Sequence, residues 1–295
     1  MRHLGGWIVG LALLLSAVPG GRAEQAQRIT ILYDAFGPPS PLQKDWGFAA
    51  LIEYGGRRVL FDTGNDAAIF EQNVARLGVD LARLDAVVIS HRHGDHTSGL
   101  SSLLAVNRDV PIWTPIEGAY FKSVAPRGFL ARHPGLPPDL RYFGGGEPSR
   151  WVSGTPWPDG RFVHVTGTAE IFAGFHVLTN QSRRAGTLEM NEVSLAVQTP
   201  RGLVVVVGCA HPGVENILAS AAKIDRRLHM VAGGFHLVLA PRNEVERVAG
   251  VLHDELKVER VAPGHCTSEL GFAVLLQRFK ERFDQAGLGA GIALP

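Results

Sequence analysis

The chain has 295 residues, with 29 Lys and Arg against 28 Asp and Glu, for a formal charge of +1. That balance, without any basic tract, gives no electrostatic footprint for nucleic acid. Neither repeats nor low-complexity stretches occur, and the presence of only two cysteines, Cys209 and Cys266, excludes a disulfide-rich scaffold.

Residues 1–23 read as a secretory signal peptide. Arg2 and His3 lead into an apolar run from Trp7 to Val18, brief for a bilayer span, and Gly21-Arg22-Ala23 puts small residues at both cleavage-determining positions. Cleavage after Ala23 leaves residues 24–295 as one domain, in the periplasm or outside the cell. An uncleaved anchor is the alternative. No later segment is long and apolar enough to span a membrane.

Strands are predicted at 29–33, 47–54 and 58–62, the last two joined by a Gly55-Gly56 turn, and a helix at 67–77. Residues 85–89, apolar and β-branched, read as a buried strand that runs into Ser90-His91-Arg92-His93-Gly94-Asp95-His96-Thr97-Ser98-Gly99. Three imidazoles and a carboxylate within six residues suit a metal. His91 and His93, two apart on an extended segment, can converge on one cation; Gly94 lets the chain turn, and Asp95 and His96, opening a helix over 97–106, face a second position. Imidazole and carboxylate donors suit zinc, with iron or manganese as competitors.

A strand at 111–113 precedes an irregular stretch, 121–160, rich in Pro and Gly; loops of that length in a compact domain are functional or disordered. The second half repeats the logic of the first. Strands at 161–165, 175–178, 193–198 and 203–207 lead to a Cys209-His211 turn and a helix at 213–222. Residues 230–232 lead toward His236, an amphipathic helix spans 242–256, and 258–261 brings the chain to His265. His91, His93, His96, His211, His236 and His265 therefore all follow strands, at one edge of two sheets.

His91-x-His93-x-Asp95-His96, preceded by Phe61-Asp62-Thr63-Gly64, resembles the metallo-β-lactamase superfamily of binuclear metal hydrolases. Gly208-Cys209-Ala210-His211-Pro212-Gly213, Gly233-Gly234-Phe235-His236-Leu237 and Pro263-Gly264-His265-Cys266-Thr267 are similar to the branch named for dihydropterin-ribofuranosylaminobenzene-phosphate synthase. The likeness runs from about Ile29 to about Phe279. It implies an α/β fold of four layers, an αββα sandwich.

With the resemblance comes a ligand set for two divalent ions: His91, His93 and His211 around one, Asp95, His96 and His265 around the other. Two cations would lower the pKa of a shared water enough to make it a nucleophile, and Asp95 could carry the proton to a leaving group. The chain departs from the superfamily at Gly208-Cys209, where a bridging aspartate is usual, so Cys209 is expected as a thiolate at the centre; pairing with Cys266 in a disulfide is the alternative. No residue clearly supplies the superfamily's usual further histidine. His164 and His176 read as core or surface, and His211 serves as substitute.

His236, after two glycines that would let a substrate approach, could bind phosphate, act as an acid or ligate in place of His265; holding the loop is its structural role. Asp62 is expected to orient a metal histidine through the ring's other nitrogen, or to form an Asx turn before Gly64. Arg183 and Arg184 offer a place for an anionic group or a solvated turn, and His133, His229 and His253 carry no site role. The expected function is an exported hydrolase of a small, anionic ester or phosphoester. The alternatives are a synthase-like transferase, against which export argues because such substrates lie inside the cell, and a non-catalytic envelope metal- or ligand-binding protein.

Overall fold

The computed structural model describes residues 27–117, 157–184 and 190–295, with Met1 and positions 135, 137, 139, 141 and 146. The expected signal peptide and nearly all of the 121–160 stretch, His133 included, lie outside the described residues. Among the described residues no helix is long and apolar enough to cross a membrane.

The first half of the chain gives strands β1 (Arg28–Tyr33), β2 (Ala49–Tyr54) and β3 (Arg57–Phe61), then helix α1 (Ala67–Arg76) and strand β4 (Ala86–Val88). Helices α2 (Gly94–Thr97) and α3 (Leu100–Val106) and strands β5 (Ile112–Pro115) and β6 (Phe162–Val165) follow. The second half holds β7 (Thr168–Phe172), β8 (Phe175–Gln181), β9 (Asn191–Thr199), β10 (Gly202–Val207), α4 (Val214–Ala221) and β11 (Leu228–Gly234). It ends with α5 (Arg242–Gly250), β12 (Arg260–Gly264), α6 (Glu269–Phe279) and β13 (Gly291–Ala293).

Two sheets form, one ordered β13-β1-β2-β3-β4-β5-β6 and the other β12-β11-β10-β9-β8-β7. Alternation along the strands sorts their side chains into layers. In β10, Val204 and Val206 pack between the sheets, whereas Leu203, Val205 and Val207 pack with Ile217 and Leu218 of α4 and Val248 of α5. Being buried on both faces, β10 reads as an unbroken apolar run. In the other sheet Ile52, Val59 and Phe61 face the inter-sheet core, and Leu51 and Leu60 face Phe70 of α1 and Leu103 of α3. Helix, sheet, sheet and helix make the αββα sandwich. Each such fully buried side chain contributes roughly 1.5–3 kcal/mol relative to exposure.

Several elements differ from the sequence expectation. The helix expected at 97–106 is two helices, α2 and α3, which meet at Ser98-Gly99, where a Cβ on Gly99 would collide with Thr63 and Phe70. The helix expected at 242–256 is α-helical only to Gly250 and continues as a π turn over Val251–Glu255. Strand β7, strand β13 and helix α6 were not expected. Strand β13 is three residues with a single buried side chain, Ile292, and exists through its pairing with β1. Helix α6 is capped by the Ser268 side chain, which accepts from the Gly271 amide, and buries Val274, Leu275 and Phe279.

The sheets position the site through strand polarity. Strands β3, β4, β5 and β6 run parallel, as do β10, β11 and β12. Carboxyl ends therefore gather at common edges, where the loops are free to carry chemistry.

Candidate metal centre

Asp62 follows β3, the His91–His96 loop follows β4, Cys209 and His211 follow β10, His236 follows β11, and His265 and Cys266 follow β12. Their ligand atoms fall into four mutually close sets: His91, His93 and His211; His91, His96 and Cys209; Asp95, His96 and His265; and Cys209, His236 and Cys266. Within each set all ligand atoms lie within 4.8 Å of one another. The structure thus brings every candidate ligand into one cradle. It leaves His164, 3.2 Å from Thr114 Oγ1, and His176, 3.3 Å from Gln198, out of it.

The backbone is held in an unusual conformation to achieve this. Asp62, Ala210, His236 and His265 adopt φ of 58°, 57°, 49° and 46°, a left-handed region that L residues enter at a cost. Small residues supply the clearance. A Cβ on Gly208 would collide with the Ser90 side chain, and one on Gly234 would lie 2.5 Å from the Gly208 carbonyl and 2.8 Å from Cys266 Sγ. Gly233 and Gly234 hence serve the close approach of the protein's own strands, where the sequence suggested room for a substrate.

Carboxylates behind the cradle orient the rings. Asp62 Oδ2 stands 2.7 Å from His96 Nδ1 and accepts the Ser90 hydroxyl at 2.7 Å, while Oδ1 accepts the Ser90 amide at 2.7 Å. Asp62 thus contacts the outer ring nitrogen of His96, the geometry an orienting role would use, and forms no Asx turn. Ser90 Oγ also meets His91 Nδ1 at 2.8 Å, so one fixed network sets two ligand rings.

Glu192 is a residue the sequence did not reveal. Its carboxylate accepts the amides of Cys209, Ala210 and His211 at 3.0, 2.7 and 2.9 Å and lies 2.9 Å from His211 Nδ1. A glutamate directly before the apolar run of β9 was the available signal. Asp34, also missed, closes β1 and accepts the His265 amide at 2.9 Å. Arg184 donates to the His236 carbonyl at 3.0 Å.

Burial and mutual repulsion hold most of these imidazoles neutral, the form a metal requires. Burial, then the facing His96 and His211 rings, keeps His91 well below its usual range. Burial and His211 bring His236 down to about 4, and burial brings His265 down to about 4 against the attraction of Asp95. His96 is the exception: burial lowers it, but Asp62 and Asp95 outweigh burial and raise it to about 9. Burial would raise Asp95, yet the His265 and His96 rings hold it well below the usual carboxylate range. Burial, then Cys266, pushes the Cys209 thiol up.

Divalent cations fit this donor set. His236 Nδ1 and both ring nitrogens of His265 are buried without a hydrogen-bond partner, and His265 Nε2 is 3.4 Å from Asp95 Oδ2. His91 Nε2 faces His93 Nδ1 at 3.1 Å, and Cys209 Sγ is 3.2 Å from His96 Nε2. Converging lone pairs of this kind are what a cation resolves. Both cysteines are free and buried, so no disulfide joins them.

Comparison with known proteins agrees with this architecture. The synthase 7,8-dihydropterin-6-methyl-4-(beta-D-ribofuranosyl)-aminobenzene-5'-phosphate synthase of Methanocaldococcus jannaschii is 28% identical, over 91% of this chain and 97% of its own. A solved metal-dependent hydrolase of the beta-lactamase superfamily is 27% identical with a TM-score of 0.66, covering 90% of this chain and 98% of its own. Human tRNase Z, short form, shares the fold at 16% identity and a TM-score of 0.52, covering 91% and 100% of the two chains. The Metallo-beta-lactamase superfamily profile matches residues 47–265, from just before β2 to the last histidine of the cradle, and the chain belongs to that superfamily.

Proposed function

We propose that this protein is a metal-dependent group-transfer enzyme, of the kind named by the archaeal synthase, which joins a dihydropterin-methyl group to a ribofuranosyl-aminobenzene phosphate. The observation that carries the enzymatic reading is the convergence of imidazole, carboxylate and thiol groups, among which His236 Nδ1 and both ring nitrogens of His265 are buried without a hydrogen-bond partner. Similarity to the synthase along 97% of its length supports transfer over hydrolysis.

His91, His93 and His211 would hold one divalent ion and Asp95, His96 and His265 the other, with Cys209 between them. Zinc suits these donors best, and iron or manganese would also be accepted. When bound, such ions supply Lewis acidity at a substrate oxygen. The chain's own residues do the rest. Asp62 and Glu192 fix which nitrogens of His96 and His211 face inward. His236, neutral and with Nδ1 unpartnered, can take up the proton an attacking amine loses as the bond from the methyl carbon to the donor's activating group breaks and that group departs with the bonding pair, and the ionised Asp95 can relay a proton.

A second reading, hydrolysis of an ester or phosphoester, is favoured by the 27% identical hydrolase structure. Under the hydrolytic reading residues 1–23 direct export and the mature chain begins at Glu24, whereas the transfer reading, whose substrates lie inside the cell, requires the chain to act there.

The test is to load the protein with zinc or manganese and supply 4-(β-D-ribofuranosyl)aminobenzene 5'-phosphate with an activated dihydropterin-methyl donor. Mass spectrometry of the joined product is the readout, with a chromogenic phosphodiester run in parallel. Product formation that is lost in His93→Ala supports transfer. Turnover of the diester alone supports hydrolysis, and turnover of neither overturns both. Elemental analysis is expected to find about two metals per chain, fewer in Asp95→Ala.

A further inference from the structure

Cys266 has no part in the six-ligand centre, yet it is buried beside it. Its sulfur, the Cys209 sulfur and a His236 ring nitrogen lie within 4.8 Å of one another. We propose that Cys209, His236 and Cys266 form a third metal position, rich in thiolate and selective for thiophilic cations such as Zn(II) and Cd(II), which shares the Cys209 sulfur with the His91 and His96 set.

Geometry supports it. In a tetrahedral site with metal–sulfur distances of about 2.3 Å, neighbouring ligand atoms stand roughly 3.8 Å apart, so a set whose atoms lie within 4.8 Å of one another contracts by at most about 1 Å. The His236 amide donates to Cys266 Sγ at 3.3 Å and that sulfur reaches the Cys209 carbonyl at 3.6 Å, so it is held between the two other members of the set. His236 Nδ1 is buried and lacks a hydrogen-bond partner. Arg184 fixes the His236 carbonyl at 3.0 Å, so the histidine is anchored through its backbone and its ring nitrogen is left for another purpose.

Donor chemistry makes the position distinct from the centre next to it. The hard carboxylate, Asp95, lies with His96 and His265, whereas the thiol-rich set contains two sulfurs and no oxygen donor. Soft ligands prefer thiophilic ions, and oxygen-preferring ions such as Mg(II) or Mn(II) gain little from sulfur. The set supplies three ligands and leaves a fourth position open, the pattern of a site accessible to a further ligand. Cys209 and Cys266 are nearly inaccessible, at 4% and 2% exposure, so a captured ion is largely shielded from bulk water.

Capture has a regulatory consequence, which rests on the proposed function: an ion in this position occupies His236 and draws on Cys209, so excess thiophilic metal inhibits turnover. Binding itself does not depend on that reading.

The experiment is an anaerobic titration of the reduced, full-length mature protein with Cd(II), following thiolate-to-cadmium charge-transfer absorption in the ultraviolet. The wild type is expected to give a band from two thiolates. Cys266→Ser should halve the band and weaken cadmium binding by about tenfold or more, and the Cys209→Ser, Cys266→Ser pair should abolish the band. His93→Ala, which removes a ligand only of the neighbouring centre, should leave it intact. Should either serine variant fail to fold, His236→Ala retains both sulfurs, and a loss of affinity of about tenfold with the band preserved supports the site. A Cys266→Ser band equal to wild type, or wild-type affinity in His236→Ala, overturns it. Loss of zinc from His93→Ala with an unchanged cadmium band in the same variant separates failure of this position from failure of the neighbouring centre.

Discussion

Asp62 Oδ2 and His96 Nδ1 face each other at 2.7 Å, both side chains fully enclosed, and this contact points His96 Nε2 at the cradle. Asp62→Asn removes the negative charge while keeping the shape. Metal affinity is expected to fall by about 10- to 100-fold, with the fold retained. A competition titration against a chelating dye, with circular dichroism as the folding control, measures it. Unchanged affinity would show that the ring needs no such partner.

Metal uptake should release protons. In the metal-free protein His96 carries a proton below about 9, because Asp62 and Asp95 outweigh burial, and burial with Cys266 keeps Cys209 a thiol at neutral pH. Both must be deprotonated to ligate, so about two protons leave at about pH 7.5. As the pH rises through about 9 the His96 proton is already gone, and release drops by about one. Calorimetry in buffers of different ionisation enthalpy counts the protons. Binding heats that do not vary with the buffer would refute the assignment.

Gly234→Ala is expected to destabilise the protein, since its Cβ would press on the Gly208 carbonyl at 2.5 Å and on Cys266 Sγ at 2.8 Å. Overpacking of this kind costs about 1–3 kcal/mol. Gly167→Ala is the control, because nothing lies within 4 Å of its added carbon. Thermal melts of the two variants should separate by several degrees, on the order of 2–4 °C per kcal/mol. Equal melting temperatures would contradict the packing argument.

Ala210→Gly should act in the opposite sense. Ala210 sits at φ 57° while Glu192 accepts its amide at 2.7 Å, so the left-handed turn is imposed by its surroundings. Relief of roughly 1–2 kcal/mol of strain is partly offset by the greater freedom of glycine when unfolded. A net gain of about 0.5–1 kcal/mol in urea unfolding is expected, with metal content unchanged. A loss of stability would mean that the methyl group contributes through packing.

The legible parts of this chain were those whose signal is local. β10 was visible as an apolar run because it is buried on both faces, and the His91–His96 cluster because its donors are adjacent. Glu192 and Asp34 were not legible. Each works on backbone amides distant in sequence, 17 to 19 positions away for Glu192 and 231 for Asp34, and a carboxylate beside an apolar strand does not name its partners. Strand β13 escaped notice since its three residues carry no periodicity and its pairing with β1 defines it. The Gly233-Gly234 pair is plain in the sequence, but its neighbours, Val207 and Gly208 at the end of the adjacent strand, are not. Whether a glycine makes room for a ligand or for another strand depends on tertiary contacts.

Because His91, His93, Asp95 and His96 hang from one sheet while Cys209, His211, His236 and His265 hang from the other, an ion in the cradle is a rivet between the two halves of the chain. His96 and Cys209 are 113 positions apart, and by the loop-entropy argument tying such a span is worth roughly 4–5 kcal/mol against the unfolded state. Removing such an ion would loosen the seam along which the halves separate, and expose the metal-free protein to proteolysis there first.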